Sequence, residues 1–196
     1  MFCGIRSPGH RVTTIIGVQG SSWAVMGADS QVSEESKKFR LPSSFSKLIS
    51  NGEFLIGTAG DVRAVNILTH TFVPPIVGKI PDEGLDKFMV SRFVPALKVC
   101  FDNNFYGKDN EHDSVFIVAV RGVLYEVGGG YECIRDDTGL YSVGSGSSYA
   151  LGALHVLNKK PRTLSGAKVM IKEALQAASR YDTGTSDPVT IIVQRY

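Results

Sequence analysis

Cysteine is scarce: Cys3, Cys100 and Cys133 are the only three in 196 residues. An odd number without short paired spacing argues against both a disulfide framework and a zinc site, and fits a reducing compartment. Charge of one sign is also lacking. Lys plus Arg total 21 against 19 for Asp plus Glu, a net of +2, and the cations are scattered, so neither nucleic acid nor an anionic membrane is expected as a partner. No apolar run approaches the ~18 residues of a membrane span, and the N-terminus lacks the charged, apolar and small-residue order of a secretory signal. A soluble, cytoplasmic protein is therefore expected. The four histidines, His10, His70, His112 and His155, have no metal-ligand spacing, so no metal or other cofactor is expected and surface or core roles suffice for them.

What is present is enough apolar sequence for one core. Apolar residues make up 43% and charged residues 20% of the chain, a globular composition at a length that suits one domain. After an irregular opening, Val12 to Val18 and Trp23 to Asp29 are rich in β-branched and apolar residues and read as a hairpin. A polar stretch, Ser30 to Ser46, leads to Lys47 to Ser50 and Glu53 to Gly57, which flank Asn51-Gly52, a strong turn signal because both residues tolerate positive φ. Apolar positions recur at helical spacing from Asp61 to Phe72, ending before Pro74-Pro75, and again from Leu85 to Phe101, where a kink at Pro95 is expected. Ser114 to Val120 and Val123 to Val127 flank Arg121-Gly122, with Tyr131 to Arg135 and Leu140 to Val143 extending a second antiparallel set. Two more helices, Ser148 to Leu157 and Ala167 to Tyr181, precede a last strand, Val189 to Arg195. Strands in blocks between helix pairs predict an α+β fold, two antiparallel sheets sandwiched between helical layers.

Six short motifs then stand in one order. They are Thr13-Thr14-Ile15-Ile16-Gly17-Val18, Gly27-Ala28-Asp29-Ser30, Lys47-Leu48-Ile49, Thr58-Ala59-Gly60, Gly144-Ser145-Gly146-Ser147 and Asp182-Thr183-Gly184-Thr185. Each falls at a strand end or turn. From Thr13 onward this series resembles the proteasome β subunits and their bacterial and phage-like relatives, N-terminal-nucleophile (Ntn) hydrolases with a four-layer αββα sandwich. The resemblance implies a threonine peptidase with Thr13 as nucleophile and Asp29, Lys47, Gly60, Ser145, Asp182 and Thr185 completing the catalytic site. Thr185 stands where the family has a serine, and Asp29 to Lys47 is two residues longer than usual, implying an insertion around Lys38 to Ser43. Specificity-pocket walls map onto Val32, Thr58 and Val62, uncharged side chains that imply cleavage after apolar residues. Closed homo-oligomeric rings, a ring of α-type subunits or an ATP-dependent unfoldase, and peptide or unfolded-protein substrates follow from the same resemblance.

The chemistry explains these residue types. A threonine hydroxyl needs a base to take its proton. An N-terminal threonine carries one in its α-amine, whose ordinary pKa of ~7.7 to 8.0 suits work near neutrality, whereas a lysine amine at ~10.4 would stay protonated. In this scheme Lys47, paired with Asp29, is a fixed cation beside Thr13; Ser145, Asp182 and Thr185 hold the amine; and the Gly60 N–H meets the oxyanion. Twelve residues precede Thr13. They read either as a propeptide that must be removed, with the β-branched Val12 at the bond to be cut, or as a mis-assigned extension if translation starts at Val12.

Other readings compete at particular residues. Cys3-Gly4-Ile5 has the look of an N-terminal-cysteine amidotransferase opening, but Phe2 intervenes and Arg6-Ser7-Pro8-Gly9 breaks the strand that should follow. Gly144-Ser145-Gly146 has the look of a dinucleotide loop, but Tyr149 replaces its third glycine. Two alternatives for the whole chain are a non-catalytic structural subunit of such a ring and an Ntn amidohydrolase acting on a small amide.

Overall fold

The computed structural model describes residues 13–34, 37–40, 45–159 and 162–196; the expected N-terminal extension, 1–12, lies outside them. Strands β1 (Thr14–Gln19) and β2 (Trp23–Asp29) form the predicted hairpin, with Ile15 opposite Ala28 and Gln19 opposite Ala24. β5 (Leu48–Asn51) and β6 (Phe54–Gly60) close across Asn51-Gly52, where Gly52 takes φ +58°. β7 (Ser114–Val120) and β8 (Val123–Val127) turn through Arg121 and Gly122, both at positive φ. Two consecutive left-handed residues match the twist of a tight hairpin.

The polar stretch after β2 is not all loop. Gln31–Glu34 (β3) and Lys37–Arg40 (β4) pair as a small separate hairpin. Its alternating polar composition lacks the apolar face that marks a packed strand, so periodicity gave no sign of it. The predicted insertion begins within β4, and residues 41–44 lie outside the described set.

A second difference concerns β10 (Leu140–Gly144). The sequence groups it with β7, β8 and β9 (Cys133–Ile134), but it pairs with β1. One sheet thus runs β10-β1-β2-β11, with β11 spanning Val189–Arg195, and the other runs β5-β6-β7-β8-β9. The alternation of side chains records which face a residue occupies; it does not name the neighbouring strand.

The two sheets face each other over Ile15, Met26, Leu55, Ile117, Leu124 and Val143. Alternate residues point outward. Phe54, Ile56, Phe116 and Val118 meet α1 (Val62–His70), α2 (Leu85–Phe88) and α3 (Val94–Asn103), while Ile16, Val18 and Val25 meet α4 (Ser147–Leu157) and α5 (Leu164–Tyr181). This is the predicted four-layer α+β sandwich. His112 is buried among the rings of Phe101, Tyr106, Phe116 and Tyr131 and accepts the Ser114 N–H on Nδ1, a core role. Among the described residues, no helix is long and apolar enough to cross a membrane.

The helix boundaries have local causes. Asp61 caps α1, its carboxylate accepting the Arg63 N–H at 2.8 Å, and Thr163 caps α5 by accepting the Gly166 N–H. Between α2 and α3 the helical hydrogen bonding widens ahead of Pro95. Met89–Phe93 forms a π-helical turn, with the Val94 N–H reaching Met89 O, and Pro95 lies in the first turn of α3. The wider turn gives the pyrrolidine ring room away from the carbonyl of Ser91, which an unbroken α-helix would drive into it.

Candidate active site

Strand register brings the six motifs to one end of the sandwich. Thr14 opposes Gly144, Ile15 opposes Ala28 and Gly60 opposes Ser114, so the start of β1, the ends of β2, β6 and β10, and the start of β7 lie at the same edge. The Asp182–Thr185 turn after α5 completes it. Thr13, Thr14, Asp29, Gln31, Lys47, Thr58 and Thr185 are all buried there.

Asp29 is the first hub. Its Oδ1 accepts the Thr14 N–H at 2.9 Å and the Lys47 ammonium at 2.9 Å, and Oδ2 accepts the Gln31 N–H at 2.9 Å. Lys47 also donates to the Gln31 carbonyl. The Lys47 and Asp29 side chains are 3% and 0% exposed, so their pair is a dry one. Burial pushes the Lys47 ammonium below its ordinary value, while the charge and hydrogen bond of Asp29 oppose that fall.

Asp182 is the second hub. Its Oδ2 accepts the hydroxyls of Ser145, at 2.7 Å, and Thr185, at 2.5 Å. Thr185 Oγ1 also lies 2.6 Å from Thr14 Oγ1. A hydroxyl has one proton; with that of Thr185 directed to Asp182, Thr14 is the donor to Thr185. Ser145, with its proton on Asp182, presents a lone pair to Thr13 and accepts its N–H at 3.3 Å. The two hubs thus converge on the backbone nitrogens of Thr13 and Thr14.

Glycine is required at two of the crossings. Gly144 has φ +100°, and a Cβ there would sit 1.9 Å from Thr13 O. Gly60 has φ +127°, with a Cβ position 2.2 Å from Asp113 O. No L side chain fits either place.

The three expected pocket walls come from separate elements around this centre. Thr58 lies beside Lys47, donating its N–H to Lys47 O at 3.0 Å. Val32 follows Gln31 on β3, and Val62 opens α1 two residues after Gly60. Two residues escaped the sequence reading. Thr14 looked like ordinary strand sequence, and its adjacency to Thr13 was the available signal. Gln31 lay in the polar stretch, where nothing in its own type distinguished it.

Among the described residues, no group of three or more His, Cys, Asp or Glu could hold a metal ion. The geometry instead offers a strand-opening threonine, a buried lysine–aspartate pair and a hydroxyl–carboxylate network on the threonine's nitrogen. With the four-layer sandwich, this arrangement resembles an Ntn hydrolase of proteasome β type.

Comparison with known proteins gives the particular relatives. No family model matches the chain. It is 28% identical over 182 residues to the ATP-dependent protease subunit HslV of Pediococcus pentosaceus, covering 90% of this chain and 91% of that protein. HslV of Oceanobacillus iheyensis is 26% identical over 182 residues, at 92% and 95% coverage. Among solved structures, Thiobacillus denitrificans BPH in complex with epoxomicin superposes with a TM-score of 0.76 at 20% identity, covering 93% of this chain and 98% of that one. Eukaryotic HslV from Trypanosoma brucei gives 0.65 at 20% identity, covering 94% and 100%. The structural likeness is one of fold. The chain is similar to the HslV subunits over nearly their whole length.

Proposed function

We propose that the chain is a proteasome-like threonine peptidase that hydrolyses peptide bonds through Thr13 once residues 1–12 are gone. The observation that carries this reading is the convergence on the Thr13 nitrogen: Ser145, oriented by Asp182, accepts its N–H at 3.3 Å. While Val12 is attached that nitrogen is an amide and no base. Released, it is an amine held by the same serine, able to take the hydroxyl proton directly or through one water.

Each residue then has a task. The Lys47 ammonium, fixed by Asp29, favours loss of protons from hydroxyl and amine. Asp182 and Thr185 fix Ser145 and Thr14 respectively, and the Gly60 N–H meets the oxyanion as the carbonyl becomes tetrahedral. Val32, Thr58 and Val62 receive the side chain preceding the cut bond, with apolar residues favoured. The related HslV proteins are ATP-dependent protease subunits. By that analogy we assign this chain a homo-oligomeric ring, an ATP-driven unfoldase or α-type ring as partner, unfolded-protein substrates and a cytoplasmic location.

The test is intact mass and peptide hydrolysis by the purified full chain and its Thr13→Ala variant. Loss of residues 1–12 and cleavage of an apolar fluorogenic peptide by wild type alone are the expected outcome. A chain that keeps the segment and is inert in both forms would instead be a structural subunit, while hydrolysis of small amides without peptides would indicate an amidohydrolase.

A further inference from the structure

The two hubs of the site are not independent, and Gln31 is what joins them. Its backbone belongs to the first hub, the N–H going to Asp29 Oδ2 at 2.9 Å and the carbonyl accepting from Lys47. Its side chain belongs to the second. Nε2 donates to Thr183 O at 3.0 Å, across 152 residues of sequence, within the turn that carries Asp182 and Thr185. The residue is 2% exposed, so the carboxamide is held by the fold and is not competing with bulk water.

We infer that Gln31 is a positioning residue for the reaction: through its carboxamide it sets the Asp182–Thr185 turn relative to the Asp29–Lys47 pair. Besides this bond the turn is held at its start, where the Asp182 N–H donates to Ala178 O at 2.8 Å. Thr185 N donates only a long bond, 3.3 Å, to Asp182 O within the turn itself. Thr185 in turn bonds Thr14 Oγ1, and Asp182 fixes Ser145 on the Thr13 nitrogen. A shift of the turn therefore displaces the Ser145 oxygen that orients the Thr13 nitrogen and the Thr185 hydroxyl that holds Thr14, and displacement near 1 Å costs up to about 100-fold in rate.

Two substitutions separate positioning from bulk. Gln31→Met keeps length and approximate volume but cannot donate. Gln31→Glu can donate to Thr183 O only as the neutral acid; as a carboxylate it places acceptor against acceptor. The charged and titratable groups around that position are the Asp29 carboxylate, the Lys47 ammonium, the Asp182 carboxylate and the Thr13 amine. The two carboxylates oppose ionisation of a new glutamate and the two amines favour it.

The inference rests on the proposed peptidase reading, and the experiment keeps them apart. Full chains of wild type and both variants are purified as assembled, and kcat and KM for a fluorogenic peptide are measured from about pH 6 to 9, normalised to chains whose mass shows Thr13 at the N-terminus. The expected result for Gln31→Met is a kcat lower by roughly 10- to 100-fold with KM within about twofold. For Gln31→Glu the ratio of its kcat to that of wild type rises as pH falls, because protonation restores the donor. A Gln31→Met kcat within about twofold of wild type, or a Gln31→Glu ratio flat with pH, overturns the assignment. If wild type itself hydrolyses nothing, the peptidase reading fails, and the link is judged by melting temperature: Gln31→Met and Thr185→Val should lower it non-additively, and strict additivity would refute the coupling.

Discussion

Replacing Asp29 by Asn isolates the most buried electrostatic element of the site. The Asp29 side chain is fully buried and accepts three donors, Thr14 N, Gln31 N and Lys47 Nζ, each at 2.9 Å. Asparagine retains one acceptor oxygen and turns an amide NH2, itself a donor, toward another donor. Lys47, 3% exposed in its side chain, is left without its counter-charge. Removing one partner of a buried pair typically costs about 3–5 kcal/mol, a large part of the ~5–15 kcal/mol that holds a domain folded. The loss is also pH-dependent, with a definite sign. Burial already lowers the folded-state Lys47 pKa, and Asp29 supplies both opposing influences. Without Asp29 the folded value drops further, while the unfolded value stays near ~10.4. Between those two values the unfolded chain binds a proton that the folded chain does not, so stability rises with pH there, and over a wider range in the variant. Urea denaturation of wild type and Asp29→Asn at pH 7 and pH 10 should show a gap that narrows at the higher pH. A cost under about 1 kcal/mol at pH 7, or a gap that does not change, would refute the reasoning.

Other outcomes follow from neighbouring geometry. Thr185→Ser keeps the hydroxyl that joins Asp182 to Thr14 and should retain activity within a few-fold, whereas Thr185→Ala should lower kcat about 10-fold or more in the same peptide assay. Gly146→Ala would place a Cβ 2.3 Å from Thr14 Oγ1, and the displaced hydroxyl network should show as a lower kcat with the melting temperature also reduced. In the inter-sheet core, Ile117→Ala should cost about 2–5 kcal/mol by urea denaturation, since Ile117 is fully buried. Cys133, whose thiol burial pushes up to about 11, should resist alkylation at pH 8, as judged by mass after iodoacetamide treatment.

How much of this was legible beforehand differs element by element. Strands that build the core were readable because burial on one or two faces forces a pattern: Phe54, Ile56 and Phe116 face the helices while Leu55 and Ile117 face the other sheet. The β3–β4 hairpin has no such obligation, and a stretch such as Gln31–Glu34 leaves no periodic trace. β10 was readable as a strand but assigned to the wrong sheet. Its pairing with β1 joins residues more than a hundred positions apart, and nothing local encodes such a partner. The π-helical turn before Pro95 was half visible: proline signalled a break, but whether a helix answers by kinking or by widening depends on what packs around it.

The site was more legible than the sheets because its residues sit where backbone geometry restricts the choice of amino acid. Gly60 and Gly144 occupy positive φ against neighbouring backbone, so their motifs resist substitution for steric reasons before chemistry is considered. Gln31 escaped for the opposite reason, since its task depends on a side chain reaching a turn 152 residues away. The same register gives the two adjacent threonines different surroundings. Strand pairing has period two, so a slip of one residue would exchange the surroundings of Thr13 and Thr14. In the observed register, Thr14 gives its N–H to Asp29 and its hydroxyl to Thr185, and its neighbours at Ile15 and Ala28 are locked into the ladder. Thr14 is thereby built into the frame that holds the site. Thr13 stands one residue earlier, at the mouth of β1, with its nitrogen directed to Ser145, which is where an amine must stand if it is to serve as the base for its own hydroxyl.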